Sequence, residues 1–239
     1  MLNLKTIFVL TALLACTEST LATDLKPYEA VYQTQAKGFN VNIEQGLQLR
    51  GSQWMLSNDA KRLSFGVSES SEFTDPGHGS LLPVRYKHIR KGQGDSKNSE
   101  LVFDWKNKTV HDALKSGQAP FSIGQHTLDK LSVQTQMRID LMREPDRKVL
   151  EYTVTDGKKF IYYRFDWLGE EILKTALGEV HCLKFKRTRR GNVRQVDFWV
   201  APQWGYLVVQ SDQFKEPGAK AERMSIKKLK YNNINILKK

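Results

Sequence analysis

Cysteine is nearly absent. The chain of 239 residues has two, Cys16 and Cys182. Cys16 falls in a removable N-terminal segment, so simple cleavage leaves Cys182 alone and excludes an intrachain disulfide in any compartment. Apolar runs are short: the one at residues 7–15 is below spanning length and no other comes near it. Acidic side chains are in deficit, 26 against 37 Lys and Arg, which gives a formal charge of +11. No Gly-x-Ser-x-Gly elbow surrounds a serine. Gly92-x-Gly94 lacks the following helix and lysine of a phosphate loop. His78, His88, His111 and His126 have no ligand spacing, and His181 and Cys182, as strand neighbours, point to opposite faces. These absences leave no expected metal and no expected cofactor. No repeat and no linker divides the chain.

What is present begins with an export signal over residues 1–22. Lys5 supplies the positive start, residues 7–15 the apolar stretch, and Thr20-Leu21-Ala22 a cleavage site. Cleavage after Ala22 makes Thr23 the first residue of a single β-rich domain, 23–239, in the periplasm. An alternative stays open: Leu13-Leu14-Ala15-Cys16 is similar to a lipobox, and a lipidated Cys16 would anchor the protein to the outer membrane.

The body alternates with the period of strands. Tyr28, Ala30 and Tyr32 share one face of the first. Phe39, Val41, Ile43, Leu47 and Leu49 share one face of the second. Short strands are expected at 54–57 and 62–67, then a polar loop over 68–80, a strand at 82–90 and a hairpin loop at 91–98. Residues 100–105 and 109–113 should pair. One helix is expected over 128–142 with Thr127 as its cap. At about 100° per residue, Leu128, Leu131, Thr135, Ile139 and Met142 form one stripe, and Val133, Met137 and Leu141 form another. A helix on an open surface buries one stripe; two imply a helix gripped from both sides. Strands resume at 149–155, 159–168 and 170–175. A hairpin over 179–211 turns at Arg189-Arg190-Gly191-Asn192, a last strand spans 223–230, and a loose tail covers 232–239. The fold class is therefore mainly β: one large curved antiparallel sheet, half-barrel-like, wrapping a single principal helix.

Several motifs resemble a known family. Gly79-Ser80-Leu81-Leu82-Pro83-Val84-Arg85-Tyr86 is similar to its Gly-x-Leu-x-Pro-x-x-Tyr run, and Asp129-Lys130-Leu131-Ser132 to its helix start. Leu177-Gly178, Trp199-Val200-Ala201-Pro202 and Gly205-Tyr206-Leu207 are similar to its C-terminal signature. Val208 departs from it, standing where members often carry Pro. The family is that of domain-of-unknown-function 3108, exported proteobacterial envelope proteins. The resemblance covers roughly residues 26–230 and implies a β-rich fold similar to periplasmic lipoprotein carriers of the LolA/LolB type. It implies no activity.

Candidate residues for chemistry have structural readings beside them. Asp129 and Ser132 are placed to cap the helix rather than to form a catalytic set with Ser122 and His126. Asp166, Glu170 and Glu171 fall in an expected turn. Cys182 is expected as a small buried side chain. Lys184, Lys186, Arg187, Arg189, Arg190 and Arg194 crowd the central hairpin and are the candidate binding surface. After export, nucleic acid is not an available partner. Lipid headgroups, lipopolysaccharide or acidic glycans are, and peripheral contact with a membrane follows. The bland alternative is a solvated hairpin whose charges protect an edge. As exposed charges, Arg187, Arg189 and Arg190 should matter little to folding. The expected function is non-catalytic binding of an apolar or amphipathic envelope ligand. The rivals are an interaction protein without a small ligand and an enzyme of unrecognised type. A pocket with apolar walls would favour the first, a filled core the second.

Overall fold

The computed structural model describes residues 25–238 apart from 37, 63, 64, 78 and 93. The expected signal, Cys16 and His78 lie outside the described residues. The first half is an up-and-down meander: β1 (Tyr28–Ala36), β2 (Phe39–Arg50), β3 (Gln53–Arg62), β4 (Phe65–Thr74), β5 (Leu82–Lys91), β6 (Ser99–Asp104), β7 (Thr109–Asp112) and β8 (Phe121–Ser122). After β9 (Thr127–Leu128) comes the helix α1 (Ser132–Arg143). The second half is β10 (Val149–Thr155), β11 (Phe160–Thr175), β12 (Gly178–Arg189), β13 (Asn192–Ala201), β14 (Leu207–Phe214), β15 (Glu222–Tyr231) and β16 (Ile234–Ile236).

Among the described residues, all 16 strands belong to one sheet. Each half is ordered as in sequence, and the halves join where β1 pairs with β15. Every pairing is antiparallel except β9 with β10. The outer strands β8 and β9 are linked by residues 123–126, so the curved sheet brings its own edges back together. Side chains cross this seam. The Phe121 and Phe160 rings lie 5.0 Å apart, and Gln118 Nε2 donates to the Gly157 carbonyl at 3.1 Å.

The helix occupies the space the sheet encloses. Leu128, Leu131 and Ile139 of one stripe, with Val133, join Tyr28, Tyr32, Leu47, Leu56 and Phe73 in the larger core. Met137 and Leu141 of the other stripe join Leu150, Phe165, Phe185 and Val200 in a second core. Each buried Leu or Phe of this kind contributes roughly 1.5–3 kcal/mol, which explains why a helix of weak amphipathicity is held firmly.

Four expectations are corrected. Residues 127 and 128 form β9, and the helix begins at Ser132, because the buried Asp129 diverts the chain. Asp129 Oδ1 accepts the N–H groups of Leu131 at 2.7 Å and Ser132 at 2.8 Å. Its Oδ2 accepts the Ser71 hydroxyl at 2.6 Å. Asp129 rather than Thr127 therefore satisfies the free helix-start donors. Second, most of the expected loop 68–80 is the continuation of β4. Its Ser68–Ser71 run alternates faces, and the polar inward residues find partners. Third, 159–168 and 170–175 are one strand, β11, with its register shifted between Trp167 and Gly169, so Asp166, Glu170 and Glu171 do not lie in a turn. Fourth, the tail forms β16 against β15, with Leu229 opposite Ile236.

Candidate functional site

The β12–β13 hairpin turns through Arg190-Gly191, where Gly191 holds φ 70°, a conformation in which a Cβ is disfavoured. Asn192 Oδ1 accepts the Arg194 N–H at 2.9 Å and fixes the far side of the turn. The six basic residues expected here divide by strand face. Lys184 is not free: its Nζ lies 3.2 Å from Glu171 and 3.8 Å from Asp197, over the Trp199 ring at 4.6 Å. Lys186 sits between Asp166 and Asp197 on the neighbouring strands. Arg187 points inward, its guanidinium 4.6 Å from the Tyr163 ring centre and 5.4 Å from that of Phe198. Burial, reinforced by Arg189, pushes its pKa below the usual arginine value. Arg189 is half-buried, whereas Arg190 and Arg194 are exposed at the turn, Arg190 lying over the Tyr162 ring.

Arg187 therefore departs from the expectation that these charges are dispensable for folding. Arg187→Gln should cost about 1–2 kcal/mol of stability through lost stacking on Tyr163 and Phe198. Arg190→Gln should cost less than about 0.5 kcal/mol. Chemical denaturation of the two variants decides it; equal costs would remove the distinction.

Several other polar groups fall into local sets. Glu69, on the inner face of β4, accepts from the Tyr86 hydroxyl at 2.7 Å and lies 2.9 Å from His88 Nδ1. Burial pushes its carboxyl up, but the bonds from His88 and Tyr86 outweigh this and hold it below the usual range. Gln45 takes the Tyr28 hydroxyl at 2.7 Å and gives its amide to Asn58 at 2.7 Å. Nearby, Arg138 is buried over the Tyr28 ring, with Nε donating to the Gly205 carbonyl at 2.8 Å and two terminal nitrogens without a partner. His126 meets Ser80 at 3.0 Å rather than Ser122. Glu170 pairs with His181, and Asp166 with Arg164. Burial pushes the Cys182 thiol up to about 12, so it is not a thiolate nucleophile. Among the described residues, no three His, Cys, Asp or Glu side chains are placed to hold a metal.

Hairpin turns in an up-and-down sheet alternate between its two ends, and this sorts the charges in a way that linear reading missed. The turns after β5, β7, β10, β12 and β14 share one end with the turn after β1. Lys97, Lys158, Lys159, Lys215 and Lys220 are exposed there beside Arg190 and Arg194. The turn signals and the lysines are each visible in the sequence; only their common end is not.

These features define a β-barrel-like fold with one end rich in lysine and arginine. The chain belongs to the family described as "Protein of unknown function (DUF3108)", whose profile matches residues 23–223. No curated protein matches the chain. Among solved structures it is similar to the β-barrel-like protein of domain of unknown function DUF1849 from Brucella abortus. That likeness has TM-score 0.56 at 9% identity and covers 87% of this chain and 98% of that one, so it shows the fold alone. A second similarity, to the Pseudomonas aeruginosa MucA/MucB complex, has TM-score 0.35 at 10% identity. It covers 89% of this chain and 54% of that one and carries no argument.

Proposed function

We propose that this protein is a non-catalytic binding protein of the periplasm that meets an anionic component of the cell envelope through the β12–β13 end of its sheet. The observation that carries the proposal is the placement of Arg189, Arg190 and Arg194 around one turn. No acid within the turn neutralises Arg190 or Arg194, and both are exposed. The export-signal pattern at residues 1–22 supports the periplasmic placement.

An apolar ligand held inside the curve of the sheet is less favoured. That space holds Met137, Leu141, Phe165 and Phe185, all buried against one another. Two clefts lie on the surface: about 670 Å³ beside β16 and the β11–β12 turn, and about 660 Å³ between Gly38 and Arg223. The packing of these interior side chains supports recognition on the exterior.

Each basic residue close to an anionic surface gains on the order of 1 kcal/mol. The triple variant Arg189→Gln, Arg190→Gln, Arg194→Gln, which spares the stacked Arg187, should therefore lose tenfold or more of its binding to a soluble polyanion such as polyphosphate at low ionic strength. The difference should fade as salt rises. Equal binding by the triple variant and the wild type at low salt would refute the assignment.

A further inference from the structure

We infer that the whole basic end of the sheet, and not the hairpin alone, is a docking face for a bilayer rich in anionic phospholipid. This rests on the anion-binding reading above and names its partner. Contacts link the turns into a closed ring. Lys115 Nζ reaches the Ser96 carbonyl at 3.2 Å, joining the loop after β7 to the turn after β5. Gln118 joins that loop to Gly157 in the turn after β10. The Arg190 N–H donates to the Tyr162 carbonyl at 3.1 Å, joining the start of β11 to the hairpin turn. Gln195 pairs with Phe214 at the loop after β14, and a cleft lined by Lys215, Lys220, Arg223 and Gly38 joins that loop to the turn after β1. Strand pairing of Ile43 with Ala60, Ala60 with Val67 and Gly66 with Lys91 returns the ring to its start.

Two properties of this ring fit a bilayer. The first is charge: each described turn from 92–98 round to 215–221 presents Lys or Arg, against Asp95, Asp156, Glu216 and Glu222, of which only Glu222 is seen paired with one of these cations, Lys215, at 2.7 Å. The opposite end is different. There Arg147 lies 3.8 Å from Glu144 and Lys148 covers the Trp167 ring, while Asp75 and Asp146 oppose Lys106 and Lys108. The second property is apolar tips among the cations. Val193 is 64% exposed, Phe39 54%, Leu114 45% and Tyr162 45%, each beside or within a turn of the ring. A soluble polyanion has no use for exposed Val and Leu. A headgroup layer takes cations at its phosphates and apolar side chains just beneath them.

The test uses the mature chain, vesicles of phosphatidylglycerol with phosphatidylcholine, and soluble polyphosphate. The double variant Leu114→Ser, Val193→Ser should bind vesicles about tenfold more weakly and polyphosphate as well as the wild type. Lys158→Gln with Lys220→Gln, on turns away from the hairpin, should also weaken vesicle binding several-fold. All four positions are at the surface, so thermal unfolding should be unchanged. Undiminished vesicle binding by either pair overturns the bilayer face. If arginine-dependent polyphosphate binding then persists, the anion-binding function stands without it. If the wild type binds neither vesicles nor polyphosphate in a salt-sensitive way, both readings fall together.

Discussion

Replacing Asp129 by Ala is expected to lower the unfolding free energy by about 3–5 kcal/mol. The carboxylate is fully enclosed and serves three donors: the Leu131 and Ser132 N–H groups and the Ser71 hydroxyl. Alanine leaves all three in a dry interior, where each unmade bond costs about 1–3 kcal/mol. Asp129→Asn should stay within about 1 kcal/mol of the wild type. Its carbonyl oxygen keeps the two backbone donors, and its amide can give to the Ser71 oxygen. A pH series separates the two native charge states. Burial pushes the Asp129 carboxyl above its usual value, opposed by the bonds from Ser71, Ser132 and Leu131. With the folded pKa above the unfolded one, the group's contribution to stability is fully present below the unfolded value. It is lost as pH rises through the folded value. Asparagine does not titrate, so the stability of Asp129→Asn relative to the wild type should rise as pH increases from about 4, the ordinary aspartate range. Urea denaturation at several pH values measures this. A flat difference would count against a raised Asp129 pKa in the native state.

The second large effect is expected at the seam. Gly157 is in the turn after β10 with φ 84°, and a Cβ there would stand 2.6 Å from Leu101 Cδ2. Leu101 is completely buried on β6, so its shift would disturb packed neighbours. The left-handed backbone disfavours a side chain by roughly 1–2 kcal/mol, and overpacking adds about 1–3 kcal/mol. Gly157→Ala should therefore destabilise by about 2–5 kcal/mol. Gly191→Ala is the control: φ is 70° and nothing lies within 4 Å of its Cβ, so only the backbone term applies. Thermal or urea unfolding of the pair isolates the contact between the two edges of the sheet. Equal losses would mean that the Leu101 contact does not contribute to closure.

Much of the fold was legible because a half-buried strand leaves a period of two. Tyr28, Ala30 and Tyr32 all face inward and are buried, and so does the polar Gln45 that interrupts the apolar face of β2. The double stripe on the helix correctly implied two-sided burial. What failed had local causes. β4 reads as polar because its inward Glu69 and Ser71 are satisfied by Tyr86, His88 and Asp129, residues distant in sequence. The helix start was misplaced because Asp129 caps it from inside the core. The six basic hairpin residues are visible in the sequence, but not that Arg187 turns inward while Arg190 and Arg194 stay out. A register shift between Arg187 and Arg189 separates them, and strand periodicity alone carries no sign of such a bulge.

The pairing of β1 with β15 sets an order of events. These strands contain residues 28–36 and 222–231, so nearly the whole chain lies between partners at the middle of the sheet. Each half can form hairpin by hairpin from near neighbours. The join between halves must wait until the last strand is available, and it closes a loop of almost the full chain length. Such long-range closure is slow compared with local hairpins. A chain emerging from its N-terminus would therefore hold β1 as an unpaired edge for most of its synthesis. That interval is when an exposed strand invites a wrong partner. Any factor that shields β1 until residues 222–231 arrive would govern the yield of folded protein more than it would the stability of the finished sheet.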